Sequence, residues 1–135
     1  MAYTKYKELT KYFNFNKELE ISSLPTYVTD YVENDEKIIQ AYKTSRDKGI
    51  FTDKKIILFD VMMFGTKQIS IIPYCSISTI NILFKYNSAD LIFYSDSGYP
   101  IVLKFKDLIP EEKTRLRLLF CTMSQKIADK YKNNN

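Results

Sequence analysis

The apolar side chains of this sequence change their period along the chain. From Glu36 to Lys106 apolar side chains recur at every second position, with β-branched and aromatic residues enriched. After Pro110 they recur at every third or fourth position. The first spacing puts apolar groups on one face of a strand, and the second draws one stripe along a helix. The alternation predicts strands near residues 36–45, 49–53, 55–61, 67–74, 77–84, 90–95 and 100–106. Ile101, Leu103 and Phe105 alternate with Val102, Lys104 and Lys106, so the last strand has one wet face. Ser95-Asp96-Ser97-Gly98 reads as the tight turn of a hairpin, since Gly accepts the positive φ such turns need.

The C-terminal segment reads as a helix. Pro110 suits its first turn, where Glu111 and Glu112 complement the helix dipole. Leu116, Leu119, Phe120, Met123, Ile127 and Tyr131 form one apolar stripe that must be buried, and the preceding sheet is the nearest surface. At the other end, Tyr6, Leu9, Phe13 and Leu19 recur at near-helical spacing. Ser23 reads as an N-cap with Pro25 close to the first helical position, and Leu24, Tyr27, Val28 and Tyr31 share one face. The expected fold class is therefore mainly β (α+β). It is a seven-stranded antiparallel barrel or sandwich, capped by a C-terminal amphipathic helix and preceded by short N-terminal helices. The expected organisation is an N-terminal helical extension over 1–33, one domain over 34–131 and a disordered tail over 132–135.

Composition removes most chemistry. The chain has no histidine, which takes away the commonest general base and the commonest metal ligand. Its three glycines, Gly49, Gly65 and Gly98, are too dispersed for a phosphate loop. Asp47, Asp53, Asp60 and Asp90 sit at or near strand ends, where solvated turn carboxylates are usual. Cys75 and Cys121 form no CxxC pair and read as small reduced thiols. The formal net charge of +4 is spread along the chain, too weakly for a nucleic-acid surface. No apolar run approaches the length of a membrane span. The expectation is a non-enzymatic cytoplasmic protein with no cofactor, no metal and no nucleic-acid partner.

One group of motifs adds to this. Arg46-Asp47, Phe51-Thr52, an apolar strand ending in Asp60, Gly65 with Lys67, and Ile72-Pro73-Tyr74 with Ile77 follow one another over 41–77. Together they resemble the bacterial pleckstrin-homology-like (PH-like) domain family over roughly residues 33–130. The resemblance implies a seven-stranded barrel or sandwich capped by a C-terminal helix, no established catalysis, and assembly into rings in some members. Val61-Met62-Met63-Phe64, before Gly65, stands where the family usually places a Gly-containing turn between its third and fourth strands. The stretch Asn87-Ser88-Ala89-Asp90-Leu91-Ile92-Phe93-Tyr94-Ser95-Asp96 replaces a longer acidic, Leu-rich strand.

In an up-down meander alternate connections lie at the same end. The connections at 46–49, 61–67 and 84–89 are thereby predicted to share a rim carrying Arg46, Lys48, Met62, Met63, Phe64, Lys67 and Lys85, with Phe84 beside it. Consecutive large apolar residues at a loop tip are unusual. Three readings stay open: the tip folds back over the barrel mouth or the N-terminal segment, meets a protein partner or a second copy, or inserts into an anionic membrane. Tyr3, Tyr6, Tyr12, Phe13 and Phe15 form a second aromatic group, suited to the barrel's outer face or to a subunit interface. The functional expectation is a binding or assembly module acting through protein–protein contact, self-association included. The alternative is a peripheral module at the inner membrane face, binding anionic lipid through the basic rim.

Overall fold

The predicted alternation is realised strand by strand in the computed structural model, which describes residues 11–96, 98 and 100–132. β3 (Ile38–Lys43), β4 (Lys48–Thr52), β5 (Lys55–Val61), β6 (Lys67–Pro73), β7 (Ile77–Phe84), β8 (Ala89–Ser95) and β9 (Pro100–Phe105) coincide with the predicted spans apart from their ends. The turn before β9 has Gly98 at a φ of +89°, with its N–H donating to the Ser95 carbonyl at 2.8 Å.

Two further strands correct the helical reading of the N-terminal segment: β1 (Lys11–Phe15) and β2 (Lys17–Leu19). The physical reason lies in Phe13-Asn14-Phe15. Both rings enter the core, at 4% and 1% exposure, while Asn14 and Asn16 disfavour helix. β1 pairs parallel with β9, from Lys11 opposite Ile101 to Phe15 opposite Phe105. The chain crosses to the other sheet at Asn16, whose N–H donates to the Lys43 carbonyl at 3.0 Å, and β2 then pairs antiparallel with β3. The result is a four-stranded sheet, β1-β9-β8-β7, and a five-stranded sheet, β2-β3-β4-β5-β6. The barrel does not close, and the two sheets form a sandwich. Tyr3, Tyr6, Leu9 and the turn residue Ser97 lie outside the described residues.

The helical turn α1 (Thr26–Thr29) begins after Pro25, and the Ser23 hydroxyl donates to the Glu20 carbonyl rather than capping it. Its segment covers the outer face of the five-stranded sheet: Val28, Leu24, Tyr27 and Val32 pack on Ala41, Ile50, Ile57 and Phe59. This explains the continuous run in β5. Ile56 and Leu58 face the main core, while Ile57 and Phe59 lie in the cluster with α1, and all four are fully buried. A strand buried on both faces reads as an unbroken apolar run. On the opposite side α2 (Pro110–Lys132) seats Leu116, Leu119, Phe120, Met123 and Ile127 in the main core, as the stripe predicts. The side chain of Tyr131 lies outside the described residues.

Candidate functional site

The β5–β6 connection projects the Met62-Met63-Phe64 tip. β5 and β6 stay in register up to Val61 opposite Lys67, so a loop of 62–66 must turn back at once. The Met62 N–H donates to the Thr66 carbonyl at 2.6 Å, and the Thr66 N–H donates to the Met63 carbonyl at 3.3 Å. Between them Phe64 and Gly65 both have positive φ, +60° and +75°. Two such residues at the centre of a hairpin turn match the right-handed twist of the strands, and the usual pair is Asn-Gly. A phenylalanine there costs roughly 1–2 kcal/mol from the contact of its Cβ with the backbone. That conformation holds the ring in solvent: Phe64 is 98% exposed, Met63 72% and Met62 47%. The tip is exposed rather than folded back. Phe64→Asn should therefore stabilise the fold by about 1 kcal/mol, read as a raised urea midpoint, since Asn enters this region more readily.

The β3–β4 turn is tied to the tip by Asp47. Its carboxylate accepts the Val61 N–H at 2.8 Å. The Thr44 hydroxyl in turn accepts the N–H groups of Arg46 and Asp47 at 3.2 and 2.8 Å. Asp47 is thus a clamp between two connections, and it places Arg46 beside the tip. Arg46, Asp60, Val61, Met62, Met63 and Thr66 line a shallow depression of about 440 Å³.

Lys48 and Lys67 converge on a residue that the sequence reading did not single out, Tyr27 of α1. The Lys48 ammonium donates to the Tyr27 hydroxyl at 2.8 Å and lies 5.4 Å from its ring centre, and that of Lys67 lies 4.9 Å from the same ring. Cations over an aromatic face are held by its quadrupole. No local signal could have found Tyr27, because the contact crosses from α1 to β4 and β6. Lys85 is placed apart. It pairs with Asp90 at 3.6 Å, and its carbonyl accepts from Lys113 of α2, at the corner of the four-stranded sheet. Arg46, Met62 and Met63 therefore line one depression, Lys48 and Lys67 meet over Tyr27, and Lys85 belongs to another corner.

The two sheets and the C-terminal helix agree with a family match: residues 9–107 fit the sequence model of the bacterial PH domain. The chain belongs to the bacterial PH domain family. Solved structures share the fold of this PH domain. A DUF1696 family protein with a pleckstrin-homology domain from Shewanella loihica PV-4 is 21% identical with a TM-score of 0.66, covering 84% of this chain and 98% of that one. A PH domain containing bacterial protein from Exiguobacterium sibiricum 255-15 is 16% identical with a TM-score of 0.66, covering 87% and 64%. A pleckstrin homology domain from Shewanella amazonensis SB2B is 26% identical with a TM-score of 0.51, covering 73% and 87%. No curated protein matches the chain. In this PH domain the Arg-Asp pair has two separate tasks, with Asp47 bracing the turn and Arg46 facing solvent. No helix among the described residues is long and apolar enough to cross a membrane.

Proposed function

We propose that this PH domain is a non-catalytic binding module that seats its Met62–Phe64 tip in a pocket of a protein partner, a second copy of the chain included. One observation carries the reading: Phe64 is 98% exposed on a turn whose backbone disfavours it. Backbone strain that supports no local packing is commonest where a residue meets a ligand. Rigid aromatics supply the hot spots of protein interfaces, and methionines adapt to the surface around them.

The second reading is attachment to anionic lipid at the inner membrane face. It is favoured by Arg46 and Lys67, neither of which is among the ion pairs of the described residues. Magnitude ranks it second. Lys48 and Lys67 both lie over the Tyr27 ring and Lys85 pairs with Asp90. Even with Lys67 counted beside Arg46, two cations contribute about 1 kcal/mol each near an anionic surface, which is too little for stable attachment alone.

The test begins with the solution mass by light scattering at low and at about 0.5 M salt, where surface electrostatics are largely screened. It continues with capture of partner protein and with flotation on phosphatidylglycerol vesicles. Phe64→Asp should weaken the protein contact about a hundredfold, as loss of a hot spot does, with Lys67→Glu changing it little. Binding that persists in Phe64→Asp would sink the proposal. Salt-sensitive flotation lost in Lys67→Glu would establish the lipid reading instead.

A further inference from the structure

A second surface lies at the open edge of the four-stranded sheet. β7 is its terminal strand, and the eight residues Ile77–Phe84 carry no charge. Exposed strand edges are templates for another strand, and proteins usually guard them with Lys, Pro or a bulge. The edge strand β6 follows that rule, with Lys67 at one end and Pro73 at the other. β7 has only a bulge near its start, between Ile77 and Thr79. Beyond it Ile82, Leu83 and Phe84 remain 40%, 53% and 37% exposed.

The ladder fixes which backbone groups are open. The Lys85 N–H donates to the Ser88 carbonyl at 2.8 Å, so these two residues form a hydrogen-bonded pair. Such pairs alternate along an antiparallel ladder. Counting back through Leu83 opposite Asp90 and Asn81 opposite Ile92, those residues bond to β8. Ile80, Ile82 and Phe84 then direct their N–H and C=O groups outward. Their side chains share the face toward α2: Ile80 packs on the main core, and the Phe84 ring lies 5.9 Å from that of Phe120.

Beside this edge the first turns of α2 form a cationic wall. Phe84, Pro110, Lys113, Thr114 and Arg117 line a groove of about 350 Å³. The Lys113 ammonium sits 5.7 Å from the Phe84 ring centre and donates to the carbonyls of Lys85 and Tyr86 at 2.8 and 3.1 Å. Neither Lys113 nor Arg117 takes part in an ion pair among the described residues.

We infer that the β7 edge and the α2 wall form a docking site for an extended, acidic segment of a protein partner, which adds to the sheet as a further strand. The outward amides and carbonyls at every second residue specify an extended occupant. Ile82 and Phe84 take its apolar side chains, and Arg117 with Lys113 selects acidic residues by charge. The site is distinct from the Phe64 tip and does not depend on it.

The probe is a capped octapeptide alternating valine with glutamate, titrated into the isotope-labelled full chain and followed by amide shifts. Shifts should concentrate at 79–85 and 113–117, and a valine–lysine octapeptide should bind at least about tenfold more weakly because its charge is repelled. Ile82→Pro removes an outward N–H that the ladder does not use, a place where an edge strand tolerates proline. It should weaken binding about tenfold, as should Arg117→Glu, and Ile82→Glu, which repels the acidic peptide, serves should the proline variant fail to fold. Phe64→Asp should leave the titration unchanged. Unmoved β7 amides at millimolar peptide, equal affinity for both peptides, or loss of the shifts in Phe64→Asp would each overturn the inference. Broadening of β7 with protein concentration alone would also overturn it, by assigning the edge to a second copy.

Discussion

Phe15→Ala should unfold on the order of 10 °C below the parent chain. The ring is 1% exposed and meets those of Phe13, Tyr42 and Phe105 at 5.8, 6.1 and 5.4 Å. Truncating a buried phenylalanine typically costs about 3–5 kcal/mol, from lost transfer energy and from the cavity left behind. Phe15 also sits where the two sheets are stitched, since its carbonyl accepts the Lys106 N–H at 2.8 Å while the next N–H bonds to Lys43. Its ring tip fills the space above Gly49, where an added Cβ would lie 2.4 Å from the Phe15 Cζ. Gly49→Ala should accordingly cost about 1–3 kcal/mol by overpacking, because the aromatic cluster leaves the ring nowhere to move. In the Phe15→Ala background the same change should cost little, and urea unfolding of the four proteins closes that cycle. A full cost for Gly49→Ala in both backgrounds would show that the ring does not occupy that space. A small loss in Phe15→Ala itself would mean that β1 is a loosely attached appendage.

The same residues show where the sequence was legible. The period-two run delivered β3 to β9 because each strand faces the core with alternate residues, and the α2 stripe is buried at every described position. Phe13-Asn14-Phe15 carried that same alternation, yet Tyr6, Leu9, Phe13 and Leu19 also fit a helical spacing. What decided between the patterns was pairing with β9, ninety positions away, and local periodicity carries no trace of such a partner. The tip was legible for a related reason. Met62-Met63-Phe64 breaks the rule that loop tips are polar, and a local violation can be seen locally. Its conformation was not, because a positive φ at Phe64 follows from the loop length and from Gly65 beside it. Strand parity grouped Lys85 with the rim, but parity assumes one continuous meander. The division into two sheets set Lys85 beside Asp90 and α2 instead.

Glu36→Ala should destabilise the domain by about 3 kcal/mol near neutral pH, because it strands a largely buried lysine. The Glu36 side chain is wholly inaccessible, and its carboxylate meets the Lys55 ammonium, itself 15% accessible, at 2.9 Å. The same carboxylate accepts the Glu33 N–H at 3.1 Å and the Thr52 hydroxyl. Tyr74 completes the cluster by donating to the Thr52 carbonyl at 2.7 Å. Burial raises the Glu36 carboxyl, but the hydrogen bonds from Thr52, Lys55 and the Glu33 N–H together outweigh it and hold the group below its ordinary value of 4.5. A carboxyl depressed on folding contributes stability above its unfolded value, and that contribution is lost as pH falls through the lower folded value. Glu36→Gln isolates this charge term, since it keeps the shape and removes the titration. The gap in urea midpoint between parent and Glu36→Gln should be widest at about pH 7, should shrink as the pH falls below the unfolded value of 4.5, and should lose its charge-dependent part below the folded value. A gap independent of pH would assign the stabilisation to hydrogen bonds and packing alone. The cluster braces the β4–β5 corner, whereas Asp47 braces the β3–β4 turn against the tip, so Glu36→Gln should lower stability while leaving binding through Phe64 unchanged in the protein that remains folded.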